Sequence, residues 1–305
     1  MALYQNRYSN RTDRRQFIRS LLVAGAVMPL ATLLPGTVKK VLAEKLPVKR
    51  RSSVALGTTR IKTSLEGYRD KMRNFDKSHP DDIWVTPEEL LLLQQVKNRL
   101  DGVHKIVGHS NFYLIGFDEA LNVARTYSLA GGPFTQAEID FLERLFHRPA
   151  TDYGFYGLKP LGEMTHRMNR KEIVKIQGTD NYLFRGEAEK LYRRMRADVG
   201  NHLVLTSGVR NVVKQFHLFL KKAVKTKGNL SRVSRSLAPP GYSFHGISDF
   251  DVGQVGYGLN NFTSKFTRSS VYQKVHQLDY YKIRYTRDNM LGVRYEPWHV
   301  RVEKA

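Results

Sequence analysis

At 305 residues and 41% hydrophobic content, the chain is long enough to bury one substantial core or two modest ones, as folded globular proteins do. Fifty Lys and Arg against 28 Asp and Glu give a formal charge of +22, which favours anionic surroundings such as nucleic acid, anionic lipid or a carboxylate-bearing cell wall without ranking them. The absence of cysteine excludes disulfides, thiol nucleophiles and thiolate-held zinc, so any metal must rest on His, Asp or Glu; no continuous apolar run reaches the roughly 20 residues of a membrane-spanning helix, and no stable membrane span is expected.

Residues 10–19 place Arg14-Arg15 just ahead of an apolar stretch over 20–34, with small residues at Val41 and Ala43. Charge, short apolar core and cleavage-like site in that order resemble a twin-arginine export signal more than a merely basic arm. The resemblance implies a leader over 1–43, passage through the twin-arginine export machinery, and a periplasmic mature protein. The stretch 44–80, rich in Lys, Arg, Ser and Thr, reads as a basic lead-in or linker without a site.

Regular structure begins at Thr86-Pro87-Glu88-Glu89, which supplies an N-cap, a proline at the first helical position and a capping-box Glu before the apolar run 90–100. Further helices are expected over 117–129, stopped by Gly131-Gly132, and from the capping box Thr135-Gln136-Ala137-Glu138 to 146. The aromatic, glycine-rich segment 153–162 suits a turn packed on a core better than it suits a groove wall. A helix over 187–199, a strand over 203–206 and a helix over 212–225 follow. Short extended pieces at 250–252, 283–285 and 293–302 then flank a helix over 269–278. A helical front half and a mixed back half predict an α+β protein, with a helical region over 81–175 and a second domain over 176–305.

A catalytic zinc takes three protein ligands, usually His and carboxylate, and keeps a fourth position open. His245, beside a glycine after the turn Pro239-Pro240-Gly241, Asp251 entering an apolar strand, and His299 in the last strand can supply that set. Asp249, two residues before Asp251 and on the same strand face, is a rival ligand or an acceptor that orients a ligand histidine. Glu296, three residues before His299, is placed to move a proton without being a ligand. Arg210, just after a strand, can meet charge developing on a scissile carbonyl oxygen. The remaining histidines, 104, 109, 147, 166, 202, 217 and 276, lack a carboxylate at ligand spacing and read as solvated or core residues. Each motif alone is weak; their order along one chain carries the signal.

Over 176–302 these motifs resemble the VanY-type D-alanyl-D-alanine carboxypeptidases, zinc peptidases grouped with VanX dipeptidases and the hedgehog-like fold. The family's Ser-Gly-Tyr-Arg element is matched by Ser207-Gly208-Val209-Arg210, and its downstream Gln by Gln215. Its Ser-x-His-x-x-Gly-x-Ala-x-Asp element is matched by Ser243, His245 and Asp251, and its Glu-x-Trp-His by Glu296, Trp298 and His299. The resemblance implies zinc on His245, Asp251 and His299, and Glu296 as catalytic base. It further implies Arg210 as the group that holds substrate and stabilises the transition state, with Gln215 and Ser243 as further substrate contacts. One departure matters: the spacing from His245 to Asp251 is one residue short, and Ser248-Asp249-Phe250 replaces the internal Gly-x-Ala. Asp251 is preferred over Asp249 because Val252-Gly253 reproduces the family's apolar step.

The expected function is zinc-dependent D-alanyl-D-alanine carboxypeptidase action on peptidoglycan stem peptides, in a small antiparallel-sheet zinc peptidase domain of the hedgehog type behind a helical region. The nearest alternative keeps the chemistry and changes the bond: a D,D- or L,D-endopeptidase, or a dipeptidase. A non-catalytic cell-wall-binding protein with a structural metal is a different class, signalled by four protein ligands. Nucleic acid is not expected as a partner, because no recognition motif is present and export conflicts with it.

Overall fold

The computed structural model describes residues 65–303, apart from 128 and 130; the proposed leader, and the lead-in as far as residue 64, lie outside the described residues. In chain order the described elements are α1 (Leu65–Arg73), α2 (Pro87–Val107), the single turn α3 (His109–Phe112), α4 (Phe117–Thr126), α5 (Gln136–His147), β1 (Ile173–Lys175), β2 (Tyr182–Phe184), α6 (Glu187–Val199), β3 (Leu203–Ser207), α7 (Val212–Lys225), α8 (Leu230–Ser234), β4 (Phe250–Gln254), α9 (Ser270–Val275) and β5 (His299–Val300). Helices mix with two small antiparallel sheets, the hairpin β1-β2 and the three-stranded β3-β4-β5, in line with the α+β expectation. No described helix is long and apolar enough to cross a membrane.

Both capping boxes form. The Thr86 and Thr135 side chains accept from the backbone N–H groups of Glu89 and Glu138, whose carboxylates reach back to the caps. Glu138 is fully buried and also takes a hydrogen bond of 2.8 Å from Arg99 Nε, so one carboxylate starts α5 and ties it to α2.

Four expectations change. First, α1 occupies the stretch read as lead-in: the Tyr68 hydroxyl donates to the Asn289 carbonyl at 3.0 Å and accepts from Gly292 N–H at 2.9 Å. Just downstream, buried Asp82 pairs with Arg235 at 2.7 Å. These partners lie more than 150 residues away, so the local composition looked solvated. Second, α4 stops at Thr126. Third, α9 stops at Val275, where the chain tightens through bonds from Gln277 N–H to Lys274 and Leu278 N–H to Val275. Fourth, the strand expected over 293–302 shrinks to two residues, because Arg294 N–H donates to Arg235, Glu296 N–H donates to Tyr285, and Pro297 has none to give. The piece at 283–285 contributes one isolated bridge, Ile283 to Val300.

Two apolar clusters bracket the site. One joins α2, α4 and α5 to α7 through Leu93, Val96, Phe141, Phe146, Phe216 and Phe219, so the core runs across the 175/176 division of sequence pattern. The other packs α6 and α9 on one face of β3-β4-β5 through Tyr192, Met195, Leu205, Phe250, Val252 and Val271. Turning Phe250 and Val252 outward by a one-residue slip would cost on the order of 3–6 kcal/mol. That cost holds Asp251 on the opposite face.

Candidate metal centre

The ladder assembles a row of polar residues. Asp251 in the central strand pairs with Ser207 of β3 on one side and His299 of β5 on the other. Alternation from Leu203 and Leu205, which face the second cluster, would send Ser207 to that same apolar side. A register shift between Leu205 and Ser207 inserts Thr206 as a bulge and turns Ser207 onto the Asp251 face. His245 arrives from the 3-10 turn Phe244–Gly246, with Arg210 N–H donating to its carbonyl at 2.9 Å. A Cβ at Gly208 would fall 1.8 Å from the Tyr182 carbonyl oxygen, so only glycine lets β3's exit pass this close to β2.

His245, Asp251 and His299 are all buried, and their donor atoms lie within 4.8 Å of one another. His245 Nε2 is 3.3 Å from Asp251 Oδ1, and His299 Nδ1 is 3.5 Å from the same oxygen. Atoms bound to one tetrahedral zinc at about 2.0–2.2 Å lie about 3.3–3.6 Å apart. His245 Nε2 and Asp251 Oδ1 are also buried without a hydrogen-bond partner, a cost the fold carries unless something binds there. The tautomers agree: His245 Nδ1–H donates to the Gly208 carbonyl at 2.8 Å and leaves Nε2 as a lone pair, while His299 places Nε2 3.1 Å from Asp249 and leaves Nδ1 toward the cluster. A divalent ion that prefers nitrogen and oxygen donors fits these residues.

Asp249 faces away from the cluster. Its carboxylate accepts from His299 Nε2, from Val302 N–H at 3.1 Å, and from both arms of Arg284, whose guanidinium lies 3.4 Å from the Phe244 ring centroid. It therefore stands behind His299, and the donors that converge among the described residues number three. Arg210 reaches the donor set through Asp251: Nη2 bonds Oδ2 at 2.5 Å and Nε bonds Ser207 Oγ at 2.8 Å. Glu296 sits on the rim with Oε2 3.6 Å from His299 Nδ1 and Oε1 3.6 Å from Arg294 Nε.

Burial opposes charge on Asp251 and Asp249, but their cationic neighbours win. His245 and Arg210 hold Asp251 well below the usual carboxylate range; His299 and Arg284 do the same for Asp249. Burial lowers the His245 pKa, and Arg210 adds to that. At His299 burial is outweighed by hydrogen bonds to Asp249 and Glu296 and by the Asp251 charge, and its pKa is pushed up to about 9. Two carboxylates, Asp251 and Glu296, face the cavity, while Asp249 stands behind His299.

These groups line a cavity of about 300 Å³. Ser243 is in its wall. Gln215 is not among the residues lining it: its amide donates to the Arg210 carbonyl at 3.0 Å and accepts from Gly241 N–H at 2.8 Å, so it fastens the His245 loop to α7. Sequence reasoning passed over Tyr113, Lys214 and Arg294, which also line the cavity, as does Tyr285. Lys214 was findable, four residues beyond Arg210 in the first turn of α7; Tyr113, from the helical region, had no local signal. Among the other histidines, His217 meets Asp101 at 2.7 Å across 116 residues of sequence, and His104 contacts His109 at 3.2 Å.

Residues 183–303 match the family model "VanY: D-alanyl-D-alanine carboxypeptidase". No curated protein matches the chain. Among solved structures, similarity extends to a vancomycin resistance D,D-pentapeptidase VanY from a VanB-type resistance cassette, a glutamate-to-alanine mutant in complex with Zn(II). It is 23% identical, covering 43% of this chain and 78% of that one, with a TM-score of 0.35. VanYB in complex with D-alanine-D-alanine is 25% identical over 43% and 76%, with a TM-score of 0.35. The family match runs from β2 past β5 and encloses His245, Asp251, Glu296 and His299, so over residues 183–303 this chain is similar to the VanY D-alanyl-D-alanine carboxypeptidase family.

Proposed function

We propose that the protein is a zinc-dependent D-alanyl-D-alanine carboxypeptidase that trims peptidoglycan stem peptides after export by the twin-arginine route to the periplasm. The observation that carries the reading is the convergence of three buried donors, two of them with orphaned atoms, beneath a carboxylate that is not one of them. His245 Nε2, Asp251 Oδ1 and His299 Nδ1 would hold the ion. Asp249 serves as the acceptor behind His299, which leaves a coordination position open and argues against a structural four-ligand site. The family match supports the bond type, and the basic body suits a carboxylate-bearing wall.

Zinc at this place would supply Lewis acidity toward the scissile carbonyl and make water acidic enough to attack at neutral pH. The protein's own residues do the rest. Glu296 takes the proton of the attacking water and passes it to the leaving amine. Arg210 fixes Asp251 through Oδ2, so that Oδ1 alone points to the ion, and places positive charge beside the carbonyl oxygen. Ser243 lines the substrate's path. Purified protein incubated with defined muropeptides, with zinc and with chelator, tests this by mass measurement. Loss of one terminal alanine only in the zinc arm is expected; scission of crosslinked dimers alone would make it an endopeptidase, and no zinc-dependent cleavage would reject the peptidase reading.

A further inference from the structure

Three cations line the cavity, and two are committed. Arg210 is spent on Asp251 and Ser207; Arg294 donates Nη2 to the Phe262 carbonyl at 3.0 Å, faces Glu296, and stacks on Trp298 and Phe75. Lys214 differs. It is 7% exposed, yet among the described residues its ammonium has no hydrogen bond and no ion pair; it lies 4.7 Å from the Tyr113 ring centroid and 5.6 Å from that of Phe112. The charged and titratable groups around it, Arg210, Lys221, His104 and His217, bring no free carboxylate, since Asp101 is occupied by Lys97 and His217. Burial and the Arg210 charge lower its pKa to about 8, which still leaves it mainly charged at neutral pH. A buried cation with nothing to neutralise it is costly unless a ligand supplies the anion.

The position tells which anion. Lys214 lies in the first turn of α7, Arg210 just precedes the N-cap Asn211 and touches Asp251, and both line the same cavity as the metal donors. In a peptide, successive Cα atoms are about 3.8 Å apart, so a terminal carboxylate lies one residue beyond the last amide bond. Lys214 lies against the rings of Phe112 and Tyr113, and Tyr113 is itself pinned by Asn211 N–H bonding its carbonyl at 2.8 Å.

We propose that Lys214, backed by Phe112 and Tyr113 of the helical region, binds the free C-terminal carboxylate of the substrate and so makes the site exo-acting. This rests on the peptidase reading and adds its specificity determinant; it also assigns the helical region a part in the site. The probes are N-acetyl-D-alanyl-D-alanine and its C-terminal amide, titrated by calorimetry into zinc-equilibrated Glu296→Ala protein so that neither turns over. The acid is expected to bind about 10- to 100-fold more tightly than the amide, the range of a charge-assisted contact. Lys214→Met, or Lys214→Gln as the polar neutral variant, should bring the acid down to the level of the amide and leave amide binding unchanged, whereas Lys221→Met on the exposed face should keep the preference. Equal binding of acid and amide, no binding of either, or a preference that survives folded Lys214→Met would overturn the proposal. Hydrolysis by the unmutated zinc protein is scored separately: cleavage without the Lys214 effect defeats this inference alone, and the preference without cleavage defeats the peptidase reading alone.

Discussion

Asp249→Ala separates an orienting carboxylate from a ligand. The substitution removes acceptors for His299 Nε2–H and Val302 N–H, each at 3.1 Å, and the partner of Arg284, whose side chain is 14% exposed. Leaving that guanidinium buried without its carboxylate costs about 3–5 kcal/mol, the lost backbone acceptor being part of one network and not an independent addition. For a folded unit of this size the melting temperature of the metal-free protein should fall by about 10 °C. Zinc should still bind, about 10- to 100-fold more weakly, because His299 is free to adopt the other tautomer and to rotate about its own bonds. Thermal melting of the metal-free protein and competition against a chromophoric chelator read the two quantities. Abolished zinc binding in Asp249→Ala together with retained binding in Asp251→Ala would make Asp249 the ligand and refute the assignment; unchanged affinity would refute the orienting role.

Glu296→Gln should keep zinc stoichiometry, measured by metal analysis, while lowering turnover of a stem-peptide substrate by about 10²- to 10⁴-fold. His299, raised to about 9, adds stability to the metal-free fold that is fully present below its unfolded pKa of about 6.5 and disappears as pH rises through about 9, a span worth about 3 kcal/mol in denaturant titrations. The same shift means that zinc uptake near pH 7 should expel about one proton, seen as a buffer-dependent heat in calorimetry that fades above pH 9. Asp82 has the opposite sign: burial opposes its charge, but Arg235 and Asn229 hold its pKa down, so its stability is lost as pH falls, and Asp82→Asn should cost about 3–5 kcal/mol by stranding Arg235. Gly208→Ala should destabilise by about 1–3 kcal/mol and weaken zinc binding, since the added methyl meets the Tyr182 carbonyl and displaces the strand exit that carries the His245 acceptor; a neutral melting temperature with intact affinity would contradict that geometry.

The sequence by itself determined the features whose physics is local. Thr86 and Thr135 with their capping glutamates start helices by satisfying amides three residues away, and the apolar spacing over 187–199 and 212–225 marks α6 and α7. The chemistry of the donors was legible too, because a cysteine-free chain with His245, Asp251, Glu296 and His299 at those spacings has few other uses for them. Only the tertiary structure decided the rest. Asp249 and Asp251 share a strand face in an ideal extended chain, yet Asp251 is on the ladder between Ser207 and His299, while Asp249 precedes β4 and is captured by Arg284 and Val302. The Thr206 bulge, the passage of Gly208 beside Tyr182, the burial of α1's flank by Asp82 and Arg235, and the meeting of Lys214 with Tyr113 all join residues far apart in the chain. Periodicity and caps report what a segment does with its own neighbours; which distant carbonyl, cation or ring fills the remaining space is settled when the packed core closes.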